Sequence, residues 1–144
     1  MVAQNVGILS EAYYNKGEET MPKKVLAIDD EPEMLNLIRF TLEQGGYEVV
    51  TCDNGRHAWN AIIQHKPDML VLDVMLPGID GYSLQIKISQ DDQTKGIPIV
   101  VLTALEPSKA LFKKFPQVVG FMTKPFNTDE LLGKVQEPIG KANG

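Results

Sequence analysis

The chain has 144 residues, 43% of them hydrophobic and 23% charged, which is the balance of an ordinary globular domain and a length that suits one domain rather than two. Its 14 Lys and Arg against 19 Asp and Glu leave a net charge of −5, which argues against nucleic acid or an anionic membrane as the main partner. The single cysteine, Cys52, excludes an internal disulfide and a zinc site of several thiolates, and fits a reducing compartment.

Residues 1–22 are polar, carry Gly7, Gly17, Glu18-Glu19 and Pro22, and show no sustained periodicity, so a flexible or loosely docked extension is expected there. They contain neither a basic n-region nor a long apolar h-region, and the longest apolar stretch, residues 97–105, is interrupted by Pro98 and Thr103. No membrane segment is expected, and a cytoplasmic location is.

From Lys23 onward strand-like and helix-like runs alternate. Residues 24–29 form an apolar run of strand length, and residues 31–44 follow with Met34, Leu37, Ile38 and Leu42 at helical spacing before Gly45-Gly46. A second strand is predicted over 47–51, a turn at Asn54-Gly55 and a helix over 56–65 that Pro67 stops. Residues 68–73 make a third strand, and after the loop Leu76-Pro77-Gly78-Ile79-Asp80-Gly81 a helix runs to about Gln90 with Leu84 and Ile88 inward. A fourth strand over 97–103, a weak helix over 108–115 closed by Pro116, a fifth strand over 118–123 and a last helix from Asn127 to about Lys141 complete the chain. Asn127 and Glu130 have capping-box spacing. Five strand–helix pairs with nearly continuous apolar strands predict an α/β fold, one parallel sheet with helices on both faces.

In such a sheet ligands bind beyond the carboxyl ends of the strands. Asp29-Asp30 end the first strand, Asp73 the third, Thr103 the fourth, and Lys124 follows the fifth. Taken singly, each has an ordinary structural role open to it; Asp30, for instance, could cap the first helix. Taken together, three acids on one rim repel one another, and Lys124 supplies one positive charge in return. A hard divalent cation, Mg²⁺, is the natural remainder. No G-x-G-x-x-G or Walker motif occurs, and the loop Asp29-Asp30-Glu31-Pro32 repels phosphate unless a cation intervenes. The chemistry this arrangement specifies is phosphoryl transfer to a carboxylate. Asp73 would be the nucleophile, Asp29 and Asp30 the metal holders, and Thr103 and Lys124 the contacts to the phosphoryl oxygens.

Asp29-Asp30, Asp73, Leu76 to Gly81, Thr103-Ala104 and Lys124-Pro125-Phe126 follow one another as in the response-regulator receiver domains of two-component signalling, which the chain resembles from about Lys23 to Lys141. The resemblance implies a CheY-like, flavodoxin-like doubly wound fold of strand order 2-1-3-4-5, occupying residues 23–144. It implies that Asp73 is the phosphoacceptor of a histidine kinase or phosphotransfer protein. Asp30, Asp73 and the backbone carbonyl of Met75 would bind Mg²⁺ directly, with Asp29 acting through water. It further implies a cis Lys124-Pro125 bond and a switch in which Thr103 moves and Phe121 turns; lacking a hydroxyl, Phe121 gains little from an outward rotamer and is expected inward even before phosphorylation. A downstream protein target would dock on the fourth helix, fifth strand and fifth helix.

Departures from the family pattern fall on that surface. The fourth helix is short and bounded by Pro107 and Pro116, Lys109, Lys113 and Lys114 make it basic, and the fifth strand lacks an acidic lead-in. Met75 and Leu105, two residues beyond Asp73 and Thr103, cannot orient a hydrolytic water, so slow phosphoryl loss is expected. His57, His65, Trp59 and Cys52 are expected to be surface, packing or inert residues away from the rim. The expected function is a signalling receiver rather than an enzyme, standing alone with no DNA-binding output unit and making no direct contact with nucleic acid. Two alternatives remain at this point: a phosphate-independent scaffold of the same fold, or an Mg-dependent phosphatase working through an aspartyl phosphate. Met75 argues against the second, because dehalogenase-type enzymes place a further acid there.

Overall fold

The computed structural model describes residues 21–76, 80–102 and 106–142; most of the expected extension at 1–22 lies outside this set. The chain alternates β1 (Lys24–Ile28), α1 (Pro32–Gln44), β2 (Glu48–Cys52), a 3₁₀ turn (Gly55–His57), α2 (Ala58–His65), β3 (Met69–Asp73), α3 (Gly81–Gln90), β4 (Ile99–Leu102), α4 (Glu106–Phe112), β5 (Val118–Met122) and α5 (Thr128–Ile139). All strand pairs are parallel and the order is β2-β1-β3-β4-β5, the doubly wound arrangement expected. No helix among the described residues is long and apolar enough to cross a membrane.

Strand periodicity divides the core. On one face Val25, Ala27, Met69, Val71, Val100 and Leu102 pack with Leu35, Ile38 and Leu42 of α1 and with Leu131 and Val135 of α5. On the other, Leu26, Ile28, Leu70, Leu72, Ile99 and Val101 pack with Ala58 and Ile62 of α2, Leu84 and Ile88 of α3, and Phe112. All five residues of β3 are buried, as the central strand of a twice-covered sheet requires.

Local chemistry sets the joints. Lys66, at φ 48°, ends α2 in the left-handed region with its N–H donating to Ile62 O at 3.0 Å, and Pro67 bars continuation. Asp80 caps α3 by accepting from Tyr82 N at 3.0 Å and Ser83 Oγ at 2.9 Å. The Ser83 hydroxyl, followed by the Tyr82 N–H, holds the Asp80 carboxyl below its usual value. Gly81 lies so close to β3 that a Cβ there would sit 2.7 Å from Val74 O. Asn127 caps α5, its side chain accepting from Glu130 N at 2.7 Å.

One expectation needs correction. The fourth helix starts at Glu106, not 108, because Pro107 fits a first turn where its missing N–H costs nothing; turns follow Phe112 well before Pro116. In α1 the buried positions are Leu35, Ile38, Thr41 and Leu42, while Met34 and Leu37 are half-buried. At the far edge, β4 and β5 change register between Ile99↔Val118 and Val100↔Gly120, so Val119 is an extra residue and is exposed. Lys134 of α5 packs over Gly120 there: a Cβ on Gly120 would meet its Cδ at 3.4 Å.

Candidate functional site: an acidic rim at the strand ends

Because β1 and β3 are neighbours, the residues that leave them at the carboxyl edge emerge side by side, at the point where the strand order reverses. Asp29 is fully buried, Asp73 is 5% exposed and Asp30 faces solvent. Each of the three offers a carboxylate oxygen, and these oxygens all lie within 4.8 Å of one another.

The two buried acids are held alike. Asp29 Oδ1 accepts from Glu31 N at 2.9 Å, and Asp73 Oδ1 accepts from Met75 N at 2.8 Å, each from the backbone two residues on. Their Oδ2 atoms face Lys124, whose Nζ is 2.7 Å from Asp29 and 3.1 Å from Asp73. Lys124 follows β5 and is joined to Pro125 by a cis peptide bond. A third carboxylate, Glu31 Oε1, lies 3.0 Å from the same ammonium.

The electrostatics are opposed within one small volume. Burial pushes the Asp29 carboxyl above its usual value and the charge on Asp73 adds to this, while Lys124 and the Glu31 N–H pull the other way. Burial also works against the Lys124 ammonium, yet the Asp29, Glu31 and Asp73 carboxylates around it outweigh this and raise the Lys124 pKa well above the ordinary lysine value. Asp29 Oδ2 is buried and receives no aligned hydrogen bond; the ammonium meets it as an ion-pair contact alone. An under-satisfied buried carboxylate oxygen beside two more carboxylates is a donor set for a hard cation. Carboxylate oxygens within 4.8 Å of one another are near enough for one hard cation to be held by two of them directly and by the third through a water.

Not every expected site residue is placed. Thr103 and residues 77–79 lie outside the described set. Met75 is 61% exposed, and Phe121 is half-buried against the core on the α2, α3 and α4 side. Cys52 and His57 line a shallow cleft of about 350 Å³ with Leu35, Thr51, Asp53 and Ala61, and the Cys52 thiol donates to Asn54 O at 3.2 Å. Trp59 is half-buried beneath Lys87 Nζ, 4.5 Å from the ring centroid. Beside α4, Tyr82, Phe112 and Phe115 form an edge-packed aromatic group with Lys114 above Tyr82, while Leu111 and Val119 are exposed. Glu31 is the one member of the Lys124 cluster absent from the expected set. Its place directly after Asp29-Asp30 was the only available signal.

Residues 25–136 match the family described as the response regulator receiver domain. Among curated proteins the chain is 37% identical over 123 residues to the alkaline phosphatase synthesis transcriptional regulatory protein PhoP of Bacillus subtilis, covering 81% of this chain and 48% of that one. The chain thus spans about half the length of the curated relatives it matches. Among solved structures it resembles the chemotaxis response regulator CheY4 of Vibrio cholerae, with TM-score 0.74 and 32% identity over 82% of this chain and 98% of that one. It also resembles the receiver domain of the sensor histidine kinase PA1611 of Pseudomonas aeruginosa PAO1, which has a magnesium ion coordinated in its active site cleft. That likeness has TM-score 0.72 and 26% identity and covers 81% and 96% of the two chains. With an acidic rim of this geometry and a family match across most of its length, the chain belongs to the receiver domains of two-component response regulators.

Proposed function

We propose that Asp73 accepts a phosphoryl group from a histidine kinase or phosphotransfer protein in an Mg²⁺-dependent reaction, and that the modified protein presents an altered α4, β5 and α5 surface to a protein target. The observation that carries this is the convergence of Asp29, Asp30 and Asp73 within 4.8 Å, with Lys124 bridging the two buried acids. Bound Mg²⁺, held by Asp30, Asp73 and the Met75 carbonyl with Asp29 through water, would neutralise developing charge on the phosphoryl oxygens. Asp73 Oδ2 attacks phosphorus, the donor's bond to phosphorus breaks, and the leaving group takes that electron pair, giving an acyl phosphate with no change in total charge. Lys124 moves from Asp73 to a phosphoryl oxygen, and Thr103 donates a hydrogen bond to another.

On this reading the protein is a signalling receiver that acts only on its own Asp73, not an enzyme with a separate substrate. The switch couples Thr103 to Phe121, whose half-buried ring already rests on the core. Its output contacts are with protein, since the net charge of −5 gives this segment no general pull on nucleic acid. The test is incubation with acetyl phosphate and Mg²⁺ followed by intact mass, for the parent and Asp73→Asn. A phosphoryl adduct on the parent alone supports the reading. No adduct on either protein favours a phosphate-independent scaffold, and turnover of a phosphomonoester favours a phosphatase.

A further inference from the structure

A lysine ammonium has three N–H donors and no acceptor. Around Lys124 Nζ stand three carboxylates: Glu31 Oε1 at 3.0 Å and Asp73 Oδ2 at 3.1 Å accept hydrogen bonds, and Asp29 Oδ2 lies 2.7 Å away as an ion-pair contact. An arriving phosphoryl oxygen therefore has to compete with three carboxylates for the ammonium. The three differ in how readily they leave. The Asp29 side chain is completely buried and tied through Oδ1 to the Glu31 backbone. Asp73 is 7% exposed at its side chain, tied through Oδ1 to Met75, and is the group to be modified. The Glu31 side chain is 60% exposed, makes no capping bond to α1, and has water to enter when it lets go.

We propose that the Glu31 carboxylate is a resting-state substitute for the phosphoryl group on Lys124, holding one of its donors until an incoming phosphoryl oxygen displaces it into solvent. The inference rests on Asp73 being the phosphoacceptor. Glu31 acts through Lys124 and is a positioning residue: it keeps the ammonium aimed at the rim and sets how strongly the pocket resists an anion. An exposed ion pair of this kind is a weak latch, so the expected effects are of several-fold size.

The experiment compares the parent with Glu31→Gln, which retains shape and removes charge, and with Glu33→Gln, which removes a like charge from the first turn of α1 without touching Lys124. Beryllofluoride, a phosphoryl mimic, is titrated with saturating Mg²⁺ and followed by amide NMR. Mg²⁺ alone is titrated separately, and the second-order rate with acetyl phosphate is measured. Glu31→Gln is expected to lower the beryllofluoride Kd about three- to fivefold and raise the acetyl phosphate rate by a similar factor. It should leave the Mg²⁺ Kd unchanged or slightly weaker, and Glu33→Gln should move none of the three. Unchanged or weaker beryllofluoride binding in Glu31→Gln overturns the latch. Equal gains in both variants overturn it too, because only a general field would then be acting. If the parent forms neither the beryllofluoride nor the phosphoryl adduct, the phosphoacceptor reading itself falls.

Discussion

Replacing Asp30 by Asn tests the physical premise of the rim, that its acids are held together against their own repulsion. Asp30 is the exposed member of the trio and makes no contact with Lys124, so the change removes repulsion without removing an ion pair. Its carboxylate oxygen lies within 4.8 Å of those of Asp29 and Asp73, and at that distance one pair of charges repels by about 0.9 kcal/mol at the dielectric of water and about 3.5 kcal/mol at an effective value of 20. Lys124 cancels roughly one of the two repulsions, and solvent around Asp30 favours the lower figure, leaving a net gain of about 1 kcal/mol for the variant. In urea or thermal unfolding at low salt with EDTA, Asp30→Asn should therefore melt about 3–5 °C above the parent. The margin should shrink in 0.5 M salt as the charges are screened. Mg²⁺ at ten times its Kd stabilises the parent by about 1.4 kcal/mol and should close the gap, because the variant has lost a ligand. A variant that is no more stable than the parent in EDTA refutes the premise of mutual repulsion.

Tyr47→Phe removes the hydrogen bond from the phenol to Gly140 O at 2.6 Å and should cost about 1 kcal/mol by urea unfolding at pH 7. Burial raises the Tyr47 pKa above 10.0, so its contribution is complete below that pH and is lost as pH rises through the folded value. The difference between parent and Tyr47→Phe should accordingly narrow above pH 10.0; a difference that stays constant as the phenol titrates would refute it. Gly81→Ala forces a Cβ to within 2.7 Å of Val74 O and should destabilise the fold by about 1–3 kcal/mol, read from the urea midpoint. Installing Met75→Asn with Leu105→Glu supplies groups able to orient water and should speed loss of the phosphoryl group by about ten- to a hundredfold, followed by intact mass over time.

The fold was legible in the sequence because its two periodicities are clean. Leu26 and Ile28 go to one face, Val25 and Ala27 to the other, and the polar residues that begin where each strand stops are the rim. Asp29, Asp73 and Lys124 were readable for that reason: strand ends in a parallel sheet all point one way. Glu31 was not, since its contact with Lys124 joins residues 93 apart and depends on the side chain folding back over the loop. The buried amides of Gln85 and Gln117 also escaped a hydropathy reading. Gln85 donates to Gln117 at 3.2 Å, and Gln117 donates to the carbonyls of Thr94 and Ile97, stitching α3 to the turns before β4 and β5. Polar residues of this kind look like surface in one dimension. In α1 Leu35 and Thr41 are buried while Met34 and Leu37 are half-buried, a distinction that six apolar residues on a thirteen-residue helix do not make in one dimension.

The irregular outer strand bears on how such molecules behave in a crowd. A parallel sheet that ends in a bare strand offers its unpaired peptide groups to any passing chain, and a flat, regular terminus invites stacking into fibres. β5 breaks that invitation at Val119, which interrupts the two-residue cadence a docking strand would need. The molecule can thus present this flank to specific contacts while resisting open-ended polymerisation through it.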